Sequence, residues 1–198
     1  ASTVAVHALA CPALPAVLLG VLRAGAAFQI LDAAHPADRH NRALRTSRPA
    51  AILHLGDAET VPEWLGEYSR SRRNRVRCLL TIPPEDLTDW NKPADLPAGA
   101  DGVITAASPA YMAFTSGSTG QPLGVLGSHA PVSHFLAWFI RTFDLQSSDR
   151  FSLLSGLGHD PLLRDLFTPL SVGATLHIPP SGVRADPVAL YRWLAESA

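Results

Sequence analysis

Short apolar runs alternate with longer amphipathic stretches along this chain. Residues 4–6 read as a buried strand; Leu14, Val17, Leu18, Val21 and Leu22 then recur at helical spacing and stop before Gly25, a residue suited to ending a helix. The same reading predicts a strand at 28–31, an arginine-rich helix at Ala37–Ser47, a strand at Ala51–Leu55, a helix at 62–69 and a strand at Cys78–Ile82. Strand then helix, repeated, predicts an α/β fold: a mostly parallel sheet flanked by helices on both faces.

The pattern breaks between residues 83 and 109. Prolines at 83, 84, 93, 97 and 109 and several aspartates remove any periodicity, as in a surface connection. Beyond it, Tyr111-Met112-Ala113-Phe114 reads as a strand, and Val125-Leu126 returns as a second, making the stretch hairpin-like. A helix at 134–142, a strand at 151–154, a helix at 162–170, a strand at 174–178 and a helix at 186–196 follow. The expected organisation is a first α/β half at 1–82, a proline-rich connection at 83–109, and a last part at 110–198. A strand that starts almost at residue 1 and a helix that stops with nothing after it suggest one piece of a larger domain.

Composition narrows the function classes. The chain has 198 residues, 47% of them hydrophobic, which suffices for a sizeable core. Its formal net charge of -1 provides no overall field for nucleic acid or an anionic membrane. The longest apolar stretch, 13–22, is too short to span a bilayer and contains Pro15 and Gly20, and no basic segment precedes an apolar run at the N-terminus. Cys11 and Cys78 lie far apart in apolar contexts and read as reduced core residues of a cytoplasmic protein. The eight histidines show no metal-ligand spacing. A dense basic run at Arg70, Arg72, Arg73, Arg75 and Arg77 reads as a solvated helix end, or as a site for an anion or partner domain.

One segment carries chemistry directly. Thr115-Ser116-Gly117-Ser118-Thr119-Gly120 contains only hydroxyl side chains and glycines and follows a strand. Glycines let the backbone approach a ligand, while N–H groups and hydroxyls offer donors to anionic oxygens, so the segment reads as a phosphate cradle. It is neither a Walker A loop nor a nucleophile elbow.

Together with Gln121-Pro122-Leu123-Gly124-Val125, the stretch from Tyr111 resembles the phosphate-loop signature of adenylate-forming enzymes, and in particular of nonribosomal peptide synthetase adenylation domains. The segment from Leu18 to Phe28, with Leu31-Asp32, Pro36 and Arg39, is similar to an earlier, architectural motif of that family. Residues 151–170, running on to Gly173-Ala174, resemble the segment that opens the amino-acid pocket, in the variant seen in α-aminoadipate reductases. The resemblance implies the large N-terminal part of an adenylation domain. There ATP with magnesium and an amino acid would yield an aminoacyl adenylate, destined for the phosphopantetheine thiol of a carrier protein.

Residue by residue, the resemblance assigns nucleotide phosphates to Thr115, Ser116, Gly117, Ser118, Thr119 and Gly120. It places His159 beside the reacting carboxylate and Asp160 against the substrate ammonium, with Pro161 and Arg164 lining the same cavity. Asp160 also suits a helix N-cap, and Arg164 either meets an acidic substrate group or pairs with Asp165. No residue of the chain is assigned a catalytic or metal-binding role. The family places lysine where this chain has Leu123, and the single lysine is Lys92. Segments for magnesium, ribose and a mobile catalytic lysine have no counterpart, so the chain alone is expected to be inactive. Carrier, condensation or remaining adenylation segments are its expected partners, and a degenerate, non-catalytic remnant acting as a scaffold is the alternative.

Overall fold

The computed structural model describes residues 2–74, 76–83, 104–115 and 123–197. The chain forms two compact units, residues 1–130 and 131–198.

In the first unit, the strands β1 (Thr3–Ala8), β2 (Ala27–Asp32), β3 (Ala51–Leu55), β4 (Cys78–Ile82), β5 (Pro109–Thr115) and β6 (Leu123–Ser128) form one sheet in the order β4-β3-β1-β2-β5-β6. The β1–β5 strands run parallel, and β6 returns antiparallel to β5. Helix α1 (Leu14–Arg23) connects β1 to β2, whereas α2 (Ala37–Ser47) and α3 (Glu63–Arg70) carry the chain the other way across the sheet. Right-handed crossovers therefore put α1 on one face and α2 with α3 on the other. The second face holds the core of Ala5, Leu31, Leu44, Ile52, Leu65 and Tyr68.

Local chemistry explains the boundaries. Pro15 sits in the first turn of α1, and at its end Gly25 takes φ 70° while Gly25 N–H donates to Leu22 O and Ala26 N–H to Val21 O. Those two bonds are a Schellman cap, so the glycine closes the helix as its sequence position predicts. Helix α2 spans Ala37–Ser47 as expected, and α3 is displaced by one residue from the predicted 62–69. A short 3-10 turn at Ala58–Thr60 is not visible in the hydrophobic pattern, because none of its residues is buried.

Both cysteines are free, but the expectation that they are core residues holds for neither. Cys11 is half-buried, and Cys78 is exposed because β4 is an edge strand. Helix α4 (His129–Phe143) begins five residues before the predicted start: His129 N–H donates to Ser108 O and Ala130 N–H to Ala106 O, which extends the structure backwards through residues without apolar periodicity.

The second unit contains a two-stranded parallel sheet, β7 (Arg150–Ser152) and β8 (Thr175–His177), with α5 (Pro161–Val172) between them in sequence and α6 (Pro187–Ser197) after them. Gly173 at φ 73° ends α5, and Asp186 Oδ1 accepts from Val188 and Ala189 N–H at the start of α6. Both strands are shorter than the sequence pattern suggests.

Candidate functional site

Strand β5 is parallel to β2, so its last residue, Thr115, lies at the same edge of the sheet as the carboxyl ends of the other parallel strands. In open α/β sheets that edge is where ligands bind. Thr115 is paired in register with Leu123, so the loop leaves and re-enters the sheet across one antiparallel rung. Ser116, Gly117, Ser118, Thr119 and Gly120 lie outside the described residues. Leu123 is 65% exposed, with no charge to offer a phosphate. The hairpin is braced from one side: Gly127 stands opposite Tyr111, whose ring occupies the space a Cβ would need. An aromatic ring lying over an edge-strand glycine pins the register of the pair.

The second group of sequence-selected residues lies at the start of α5. His159, Asp160 and Pro161 are all exposed. Pro161 occupies the first turn, where its missing N–H costs nothing. Asp160 sits at the N-cap position, but its backbone is already helical (φ -59°, ψ -31°) and its carboxylate caps no N–H. Among the described residues it has no side-chain partner.

Arg164 takes the internal option. Its Nε and Nη2 donate to Asp165 Oδ1 at 2.9 and 2.7 Å, and the guanidinium lies 5.9 Å from the centre of the Phe139 ring. Asp165, only 9% exposed, also accepts from Ser155 N–H at 3.3 Å and Ser155 Oγ at 2.5 Å through Oδ2. Arg184 Nη1 donates to Ser155 O at 3.2 Å. The loop leading to His159 and Asp160 is thus tied to α5 through a buried carboxylate that sequence reasoning did not select. The sequence offered it only as a possible partner of the adjacent Arg164 and gave no sign of its bonds to Ser155.

A third group was also missed. His7 and His54 are register partners on β1 and β3, near the carboxyl edge, and both are buried with His40 of α2. Thr60 Oγ donates to Asp57 O at 2.8 Å, which leaves it to accept from His54 Nε2 at 2.9 Å. His54 Nδ1 therefore accepts, and His7 Nδ1–H donates to it across 2.8 Å. Gly56 makes this chain of bonds possible, since a Cβ there would lie 2.7 Å from Thr60 Oγ1 and 2.8 Å from His54 Nε2. Trp64 stacks on His40, with centroids 5.3 Å apart. Burial, followed by the neighbouring His54 and His40, pushes His7 down to about 4; burial also lowers His40 and His54. At neutral pH the three rings are therefore uncharged packing elements. Their separation in sequence hid them, because strand pairing and not spacing brings them together.

Among the described residues no three His, Cys, Asp or Glu side chains converge as a metal site, and no helix is long and apolar enough to cross a membrane.

Comparison with known proteins agrees with this architecture. The chain is 36% identical over 190 residues to the L-2-aminoadipate reductase of Schizosaccharomyces pombe, covering 89% of this chain and 13% of that protein. It is 30% identical over 175 residues to surfactin synthase subunit 2 of Bacillus subtilis, covering 88% of this chain and 5% of the relative. The chain therefore spans about an eighth or less of these relatives. Among solved structures, the nonribosomal peptide synthetase FmoA3 with α-methyl-L-serine-AMP bound superposes with a TM-score of 0.73 at 26% identity, over 98% of this chain and 20% of that one. The N-terminal subdomain of Klebsiella oxytoca NpsA, in complex with 3-hydroxyanthranilyl-AMSN, shares the fold with a TM-score of 0.75 at 20% identity, over 98% of this chain and 45% of that one. The model of the AMP-binding enzyme family matches residues 1–197, and the chain belongs to that family, as an adenylate-forming domain related to peptide synthetase adenylation domains and aminoadipate reductases.

Proposed function

We propose that this chain supplies the phosphate loop and the opening of the substrate pocket in a domain that activates an amino acid with ATP. The observation that carries the reading is the Asp160 carboxylate: exposed, without a partner among the described residues, and set beside His159 at the start of α5. A substrate ammonium would complete it through charge-assisted hydrogen bonds. ATP, held as its magnesium complex, supplies an electrophilic α-phosphorus and a pyrophosphate leaving group. The sequence that follows Thr115 is rich in donors, and Thr115 itself stands at the carboxyl edge of the sheet, which fits a polyphosphate. No residue described here serves as a magnesium ligand in this reading, and the aminoacyl group would pass to a carrier-protein thiol.

We infer the substrate class from the part of Arg164 that Asp165 leaves uncommitted. Its charge is shared with Asp165 through Nε and Nη2, and Nη1 has no partner among the described residues. An amino acid with a second carboxylate would satisfy it, as would L-2-aminoadipate, the compound in the names of the yeast relatives. A second reading, a non-catalytic scaffold, is favoured by Leu123, which leaves the rung opposite Thr115 uncharged. Amino-acid-dependent exchange of pyrophosphate into ATP by the full-length protein distinguishes the two. Activation predicts exchange with an amino dicarboxylate above other amino acids; exchange with no amino acid, in folded protein, supports the scaffold.

A further inference from the structure

A groove between α2 and α3 of the first unit has no part in adenylation as proposed. Asn41 and Arg45 stand one turn apart on α2, Trp64, Glu67 and Tyr68 follow one another on α3, and Arg73 comes from the turn beyond. They enclose about 560 Å³, a volume within the range of binding sites.

The floor is fixed. Tyr68 Oη donates to Leu44 O at 2.9 Å and thereby joins the two helices, and Asn74 Nδ2 donates to Tyr68 O at 2.9 Å and holds the turn against α3. The rim is basic. Arg45 and Arg73 are exposed on opposite walls, and Arg48 is close enough that its charge and that of Arg45 both favour ionisation of Tyr68, against the larger effect of burial. Arg42, Arg70 and Arg72 are exposed nearby in sequence. Among the described residues none of these guanidiniums makes an ion pair, although Glu67 lines the same groove.

Guanidiniums that are unpaired among the described residues stand on both walls of the groove and call for an anionic occupant, and their spacing says which kind. Arg42, Arg45 and Arg48 recur every three residues along α2 and its cap, so the basic rim extends over about 9 Å, more than a single phosphate can bridge. Carboxylates on alternate residues of an extended peptide recur every ~7 Å and meet successive forks bidentately. We propose that the α2–α3 groove docks an acidic segment of a partner protein in extended conformation.

Anisotropy of a fluorescein-labelled peptide of four glutamates alternating with glycines, titrated with the full chain at low salt, tests this. Saturable binding is expected, weakened at least tenfold in the Arg45→Gln/Arg73→Gln double variant. It should be unchanged in Arg141→Gln/Arg192→Gln, which removes the same charge from the second unit. Binding should also perturb tryptophan emission, and Trp64→Phe should abolish that response. Four results would overturn the proposal: absence of saturable binding, equal weakening by both double variants, an emission change that persists without Trp64, or displacement of the peptide by inorganic phosphate or a DNA oligonucleotide at matched ionic strength.

Discussion

The histidine chain of the first unit and the start of α5 in the second both gather titratable groups near strand ends, yet they differ in what is left open. His7 and His54, both buried, and the exposed Thr60 satisfy one another in sequence, with the last proton delivered to a backbone carbonyl. The Asp160 carboxylate is exposed and has no partner among the described residues. Burial with every donor matched marks a group that holds the fold. An exposed carboxylate without a partner, flanked by a braced loop, marks one available to a ligand. Asp165 shows the difference within a single helix: five residues after Asp160 it accepts from Ser155 and Arg164 and serves to fix the loop.

The largest effect expected from this contrast is acid lability of the histidine chain. The folded-state value of His7, about 4, lies below the ordinary 6.5, so its contribution is complete above pH 6.5 and is lost as the pH falls through 4. The difference corresponds to about 3 kcal/mol, and His40 and His54 act in the same direction. Urea unfolding between pH 7 and 4 should show this loss, and His7→Leu should flatten it. A flat profile in the unaltered chain would mean that the rings are not buried uncharged.

Next in size is Asp165→Ala. It leaves Arg164 without its carboxylate and Ser155 without its acceptor, at a cost of about 2 kcal/mol, held down by the 43% exposure of the Arg164 side chain. Thermal unfolding measures it, and an unchanged midpoint would show that the loop does not depend on this carboxylate. Smallest is Asp160→Ala, which should change stability by no more than about 0.5 kcal/mol because no internal bond is lost. A larger loss would turn Asp160 into a structural cap and remove the contrast.

The sheet, the flanking helices and the β5–β6 hairpin were legible because their signals are local. The 3.6-residue stripe of Leu14 to Leu22, the Gly25 stop and the apolar runs of β1 to β5 each sit within one element. What stayed hidden depends on pairing between elements. His7 meets His54 through strand register, across 47 positions, and Asp165 meets Ser155 through a turn of chain that no periodicity describes. The early start of α4 and the short 3-10 turn were missed for a related reason: backbone hydrogen bonds, and not buried apolar faces, define them. Asp160 was selected through the family resemblance; its exposure and its unused cap geometry came from the structure.

Pyrophosphate exchange into ATP, with and without an amino dicarboxylate, in the full-length protein and its Asp160→Ala variant, tests the central claim most directly. The account predicts amino-acid-dependent exchange that falls by about a hundredfold in the variant, the loss of one charge-assisted contact to the substrate, while the variant melts at the same temperature. Exchange that survives the substitution at full rate would contradict it.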